Sequence, residues 1–292
     1  MKKWIFLAFS IFSLSIVYWC IKDDLVINKS FNKNPYLRVV SLAPSFSETM
    51  KSLGQTHRLV GVSTDCDKKV FKAIKKIGSF AQINVEAILE LKPDLVLAVP
   101  HVLARPILKK LAKHNIEIFA HQPDTIEDIE TITRLLAKKF NVSNLGDLVL
   151  NDINNSIINA RQEIESLQDN KAKKKFLMTI SASPLVVAGR NSFPSEVLER
   201  LGFINSVTIE DVAWPIWPLE QILLNPPDII VFTAGAENFF QYQHILNKIH
   251  EKAGNIAIIA SKNNIFSSPS PKLIKDIKKF TDLIKKEYNR AI

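Results

Sequence analysis

With 292 residues, 47% of them hydrophobic and 23% charged, the chain is neither a disordered polymer nor a wholly membrane-embedded one, and it exceeds the usual size of a single domain. Its formal net charge of +9 is dispersed in lysine pairs and triplets such as Lys68-Lys69, Lys75-Lys76, Lys173-Lys174-Lys175 and Lys285-Lys286, with no basic face carrying interleaved aromatics, which argues against nucleic acid as a partner. Two cysteines, Cys20 and Cys66, are too few for a disulfide framework, so an exported fold here depends on its cores.

Residues 1–21 read as a targeting segment. Lys2 and Lys3 precede an uncharged, mostly apolar run from Trp4 to Ile21. Bulky Val17-Tyr18-Trp19 before Cys20 fits neither a signal-peptidase site nor a lipobox. An uncleaved inner-membrane anchor and cleavage after Ser15 both remain open. Residues 22–35 follow as a polar linker.

From there, short β-branched runs alternate with amphipathic segments. Arg38–Leu42 reads as a strand, and Ser45-Phe46-Ser47-Glu48 as a capping box opening a helix that stops at Gly54. Leu59–Val62, Leu95–Val99 and Glu117–Ala120 are further strands, with helices expected over Val102–His114 and, capped by Thr125, over Ile126–Phe140. Such alternation predicts a parallel sheet covered on both faces. Apolar residues then recur at three- and four-residue steps from Asn144 to Gln168, which predicts one helix of roughly 36 Å, long enough to connect two domains. Beyond it, strands are expected at Phe176–Ile180, Leu185–Ala188, Ile229–Phe232 and Ile256–Ile259, and helices near Pro194–Leu201, Leu219–Leu223 and Pro271–Tyr288. The fold class is therefore α/β, two Rossmann-like lobes with mainly parallel sheets joined by one long connector helix. The divisions are an N-terminal lobe over 36–143, a connector over 144–170 and a C-terminal lobe over 171–292.

An internal repeat supports two lobes. NVEAILELKPDLVLA (84–98) aligns without gaps to PLEQILLNPPDIIVF (218–232), matching Glu86 with Glu220 and Pro93-Asp94 with Pro227-Asp228, always 134 positions apart. Each half thus carries a helix, a Pro-Asp turn and a buried strand in one order. Strand carboxyl ends are where open α/β sheets bind ligands, so a cleft between two such lobes is the expected site.

The blocks RVVSLAPSFSETMKSLG, LVGVSTDCD and NVEAILELKPDLVLA, followed by PLVVAGRNSFPSEVLERLG and WPLEQILLNPPDIIV, resemble in order the two lobes of the periplasmic binding proteins that serve ABC importers of cobalamin, haem and iron-siderophores. The resemblance covers about residues 36–288 and lies nearest the cobalamin-binding branch. It implies a monomeric, non-enzymatic carrier in the periplasm, free or tethered by its N-terminal segment. Cobalamin would be its cargo, not a resident cofactor, and a transmembrane permease dimer its partner. It implies docking of that dimer through Glu86 and Glu220, each in the first turn of a short helix where the dipole favours a carboxylate and a guanidinium fork can reach it.

The resemblance also implies aromatic contacts to a corrin from Phe80 and Trp214, each six residues before its lobe's docking glutamate. Trp217 and Phe266 extend that wall, Ser45 is a further ligand contact, and Lys272 falls where relatives carry an arginine near a ligand phosphate or carboxylate; Asp65, a departure from the family pattern at the cleft mouth, is a candidate for a cationic or amide-rich ligand edge. For each aromatic the competing role is a core side chain, for Asp65 a turn cap and for Lys272 a first-turn surface lysine. Asp65-Cys66-Asp67 replaces the tyrosine common in cobalamin binders. A haem or siderophore cargo, served by Arg190, Lys272 or His101, is the alternative. A zinc or manganese site would have to draw on His57, His101, His121 and Asp65, which share no spacing rule. Cys66 reads as a loop thiol. No catalytic motif is present: there is no Gly-x-Ser-x-Gly, no His-Glu-x-x-His and no glycine-rich phosphate loop.

Overall fold

The structure, a computed structural model, describes residues 36–167, 173–182, 184–232, 243, 246–249, 251, 256–261 and 265–291. The targeting segment and linker expected over 1–35 lie outside these. Among the described residues, no helix is long and apolar enough to cross a membrane. The chain divides into two compact units. One comprises residues up to Ser47 together with Gln55–Gln122, and the other Glu48–Gly54 together with 123 onward.

The first unit is built on five parallel strands: β1 (Val39–Ser41), β2 (Leu59–Val62), β3 (Lys75–Lys76), β4 (Leu95–Ala98) and β5 (Glu117–Ala120). Their order in the sheet is β3-β2-β1-β4-β5. The chain therefore runs outward from β1 first to one side and then to the other, which makes the carboxyl ends of β1 and β4 a topological switch point. β4 is buried at every residue, as a strand covered on both faces must be. On one face Val40, Val96, Ala98 and Ile118 pack with Ile88 of helix α2 (Val85–Glu90) and with Leu108 and Leu111 of α3 (Ala104–Ala112).

Helix α1 (Pro44–Ser52) departs from the sequence expectation at its start. It begins at Pro44, whose fixed φ suits the first helical position, so Ser45 stands inside the first turn and is buried, not capping. The Glu48 carboxylate turns to Lys51 at 3.3 Å, so no capping box forms. Gly54 ends the segment with φ +70°, as its place after the last apolar turn predicts. β3 was not visible in the sequence, because a two-residue Lys-Lys strand has neither length nor apolar pattern.

In the second unit, α4 (Ile126–Lys139) opens with a true capping box. The Thr125 hydroxyl accepts from the Asp128 N–H at 3.0 Å, and the Asp128 carboxylate accepts from the Thr125 N–H at 2.9 Å. The predicted long helix is α5 (Ser143–Ser166), 24 residues without interruption. It packs against α4, where Gly146 lets the helices approach closely, and against the last helix, α8 (Leu273–Ala291).

The sheet of this unit comprises β6 (Lys175–Ala182), β7 (Leu185–Val187), β8 (Ile204–Asn205), β9 (Ile229–Phe232) and β10 (Ala257–Ala260). Its order is β10-β9-β6-β7, and β8 pairs with the start of β6. All pairs are parallel except β6 with β7, a hairpin that strand patterning alone does not orient. Helices α6 (Phe193–Arg200) and α7 (Leu219–Leu224) complete the described elements used below.

The sequence repeat reappears in the bounds of its elements. α2 and α7, and then β4 and β9, begin and end 134 positions apart. Even the Pro-Asp turn does the same work twice. Asp94 accepts from the N–H groups of Leu37 (2.8 Å) and Arg38 (3.1 Å), and Asp228 accepts from the Lys175 N–H (2.7 Å). In return, the Asp94 N–H reaches the Arg38 carbonyl and the Asp228 N–H the Lys175 carbonyl, each at 2.9 Å. Each aspartate thus pins the foot of its strand to the neighbouring strand, β1 or β6.

Candidate functional site

In the first unit the carboxyl ends of the five parallel strands carry the candidate residues. Ser45 follows β1, Asp65 follows β2, Phe80 follows β3, and His101 and His121 follow β4 and β5. Phe80 is 40% exposed, a large apolar side chain left partly in water. It rides on a tight loop closed by the bridge between Gly78 and Ile83 and by reciprocal backbone hydrogen bonds between Ser79 and Gln82. Gly78, at φ +101°, is required there, since a Cβ would lie 2.1 Å from the Gln82 carbonyl oxygen.

The Phe80 ring stacks on the His101 imidazole, with centroids 4.0 Å apart and planes 26° from parallel. Burial holds the His101 pKa below its ordinary value. A hydrogen bond to the Phe80 backbone favours the cation and so runs from ring to carbonyl, but it only partly offsets burial. His101 is therefore neutral at physiological pH. Val102 and Leu103, both strongly exposed, continue the rim.

Asp65 is exposed, but one of its oxygens is engaged: Oδ2 accepts from the Phe80 N–H at 2.7 Å and from the Ser63 hydroxyl at 3.1 Å. Cys66 is in the loop, as expected, but buried, with Sγ 3.2 Å from the Ser47 hydroxyl. Among the described residues, no three His, Cys, Asp or Glu side chains gather to hold a metal ion, and His57, His101, His121 and Asp65 do not converge.

In the second unit the corresponding aromatic is presented by another device. Residues 213–217 run antiparallel along β7. Val187 N–H bonds to the Pro215 carbonyl, Gly189 N–H to that of Ala213, and Trp217 N–H to that of Leu185. Alternation follows from the extended backbone. Pro215 and Trp217 turn inward and are buried, whereas Val212, Trp214 and Ile216 turn outward and are exposed, Trp214 at 49%. Gly189 makes the close approach feasible, because a Cβ there would sit 2.0 Å from the Val212 carbonyl oxygen.

Two of the expected wall residues are core side chains. Trp217, 3% exposed, packs with Val187, Val207 and Ile230, and Phe266, 1% exposed, meets Phe280 edge to face at 5.7 Å. Residue type and neighbouring prolines did not separate Trp214 from Trp217. The two-residue period of an edge segment does. Lys272 is tied to the nearly buried Asp276, Nζ lying 2.7 Å from each carboxylate oxygen, and Asp276 also accepts from the Phe266 N–H at 3.0 Å. That lysine has a structural partner. The guanidinium of Arg190 donates to the Val207 carbonyl and pairs loosely with Glu210 at 3.5 Å.

Glu86 and Glu220 each occupy the second position of their helix, α2 and α7, and both are exposed. Asn84 caps α2, its side chain accepting from the Ala87 N–H at 2.9 Å, whereas Pro218 at the equivalent position cannot. Neither glutamate forms an ion pair with a described residue.

The chain is 28% identical over 216 residues to a vitamin B12-binding protein of Vibrio vulnificus, covering 73% of this chain and 77% of that one. Among solved structures, the periplasmic vitamin B12 binding protein of Vibrio cholerae superposes with a TM-score of 0.71 at 23% identity, covering 87% of this chain and 98% of the other. A periplasmic haem-binding protein of Pseudomonas aeruginosa gives 0.73 at 21% identity, covering 87% and 93%. At these identities the structural matches establish a common fold. A periplasmic binding protein family model matches residues 39–262, most of the chain, and the protein therefore belongs to the periplasmic binding protein family, as a substrate-binding protein of an ABC importer and not an enzyme.

Proposed function

We propose that this protein captures cobalamin or a related corrinoid in the periplasm and delivers it to a permease dimer. One observation carries the reading. At repeat-equivalent positions, 134 residues apart, the two units present Phe80 and Trp214, each large, aromatic and about half exposed. Flat rings on fixed backbones suit a broad macrocycle, giving contact area at small entropic cost. The named vitamin B12-binding relatives point to the same cargo. Glu86 and Glu220, exposed and without an ion-pair partner among the described residues, are the docking carboxylates of this reading.

Calorimetry against cyanocobalamin, cobinamide, haem and a ferric siderophore panel tests it. Saturable binding of a corrinoid is expected, weakened roughly 30-fold by Trp214→Ala and less by Phe80→Ala. Binding of none of the four would end the proposal. In a reconstituted importer, reversing both glutamates to lysine is expected to abolish ligand-stimulated ATPase activity; unchanged stimulation would remove them from docking.

A haem cargo is the second reading. It is favoured by the neutral imidazole of His101 at the rim, a donor suited to iron. The absorption spectrum of a loaded sample separates the two.

A further inference from the structure

Resting on the corrinoid reading, we propose that Asp65 is a positioning residue that acts on the ligand through Phe80 and does not itself touch it, and that Asp65, Phe80 and His101 form one preassembled stacking platform. Two contacts restrain Phe80. Its N–H donates to Asp65 Oδ2 at 2.7 Å, and one face of its ring stacks on the His101 imidazole with centroids 4.0 Å apart. Asp65 is held in turn. Oδ2 also accepts from the Ser63 hydroxyl at 3.1 Å, and that hydroxyl accepts from the Asp65 N–H at 3.1 Å. The next link down, Thr64 N–H to the Gly78 carbonyl at 2.8 Å, fastens the loop of β2 to the loop that carries Phe80.

The three residues come from the carboxyl ends of three different strands, β2, β3 and β4. Only the folded sheet assembles them, around a phenyl ring that stays 40% exposed. Fixing an exposed ring before binding removes an ordering cost that the ligand would otherwise meet. The carboxylate at the rim, which by composition suggests a contact to a cationic or amide-rich ligand edge, commits one oxygen, Oδ2, to the Phe80 N–H and the Ser63 hydroxyl.

A double-mutant cycle decides between positioning and contact. Asp65→Ala is expected to weaken cyanocobalamin binding about fivefold to tenfold when Phe80 is present, and to have no further effect in a Phe80→Ala background. Asp65→Asn, whose amide oxygen still accepts from Phe80, is expected to retain nearly wild-type affinity and guards against a simple folding defect. Equal losses from Asp65→Ala in both backgrounds would overturn the proposal in favour of direct contact.

A ligand-free measurement keeps this test separate from the question of cargo. The ring-current shift that Phe80 imposes on the His101 imidazole protons is expected in wild type and Asp65→Asn and to be lost in Asp65→Ala. If cyanocobalamin fails to bind wild-type protein, the corrinoid reading falls while this shift still judges the platform. An unchanged shift in Asp65→Ala refutes the positioning role whatever the ligand.

Discussion

The two units solve one problem in two ways. In the first, Phe80 is an isolated ring on a short loop, fixed by a carboxylate and stacked on an imidazole. In the second, Trp214 is one tooth of an extended segment hydrogen-bonded along β7, fixed by backbone alone. Yet both stand 134 residues apart, ahead of helices, Pro-Asp turns and strands that coincide residue for residue. A duplicated scaffold thus retains the parts that build the sheet, while the loop in front of it is free to present an aromatic by whatever local chemistry it carries.

The sharpest way to break this comparison lies in the backbone-held half. Gly189→Ala places a methyl group where the Val212 carbonyl now lies and must push the 212–216 segment from β7. A loss of about 3 kcal/mol is expected in urea unfolding, together with weaker corrinoid binding on the proposed function, because Trp214 moves with its strand. Gly78→Ala, the nearest equivalent in the first unit, offends only the short loop under Phe80, so its effect on stability is expected to be smaller. Equal losses would mean that the two devices are not distinct.

The paired aspartates sharpen the scaffold side of the comparison. Asp94→Ala leaves two backbone N–H groups without their carboxylate, Asp228→Ala one. Expected costs are about 2 and about 1 kcal/mol respectively in denaturant melts. An inverted order would show that the repeat's hydrogen bonds do not set how firmly the foot of each strand is held.

The smallest effect concerns His101, present in one half alone. Because burial lowers its pKa, the folded state takes up its proton later than the unfolded chain does. Stability from this group is therefore intact above the ordinary value of 6.5, declines as pH falls through that value, and levels off once the folded imidazole is protonated. Titration by NMR should give a midpoint below 6.5, and His101→Gln should flatten this part of the stability profile. A midpoint above 6.5 would mean that the Phe80 carbonyl outweighs burial.

Much of the fold could be read in advance for definite reasons. β2, β5 and β9 have the predicted bounds because they are β-branched or apolar runs closed by turn residues, and Thr125 caps α4 where its hydroxyl precedes the first apolar turn. β3 and β8 are not legible in the sequence because two residues carry no pattern, and the direction of β7 depends on pairing, which a single strand does not encode. At the site, exposure and partners decided roles that residue type left open. Trp217 and Phe266 are packed away, Lys272 is bound to Asp276, and Asp65 accepts from the Phe80 N–H. His101, a principal member of the rim, entered the sequence reading only as an alternative donor, since nothing local to it signals the ring it stacks on.

By itself the sequence determined the doubled α/β architecture, the single 24-residue helix and the equivalence of Glu86 with Glu220, because periodicity and repeats are written in local order. Tertiary structure alone decided which side of each extended segment faces water and which polar groups find one another. Those outcomes depend on residues brought together from distant strands, and no spacing along the chain records them.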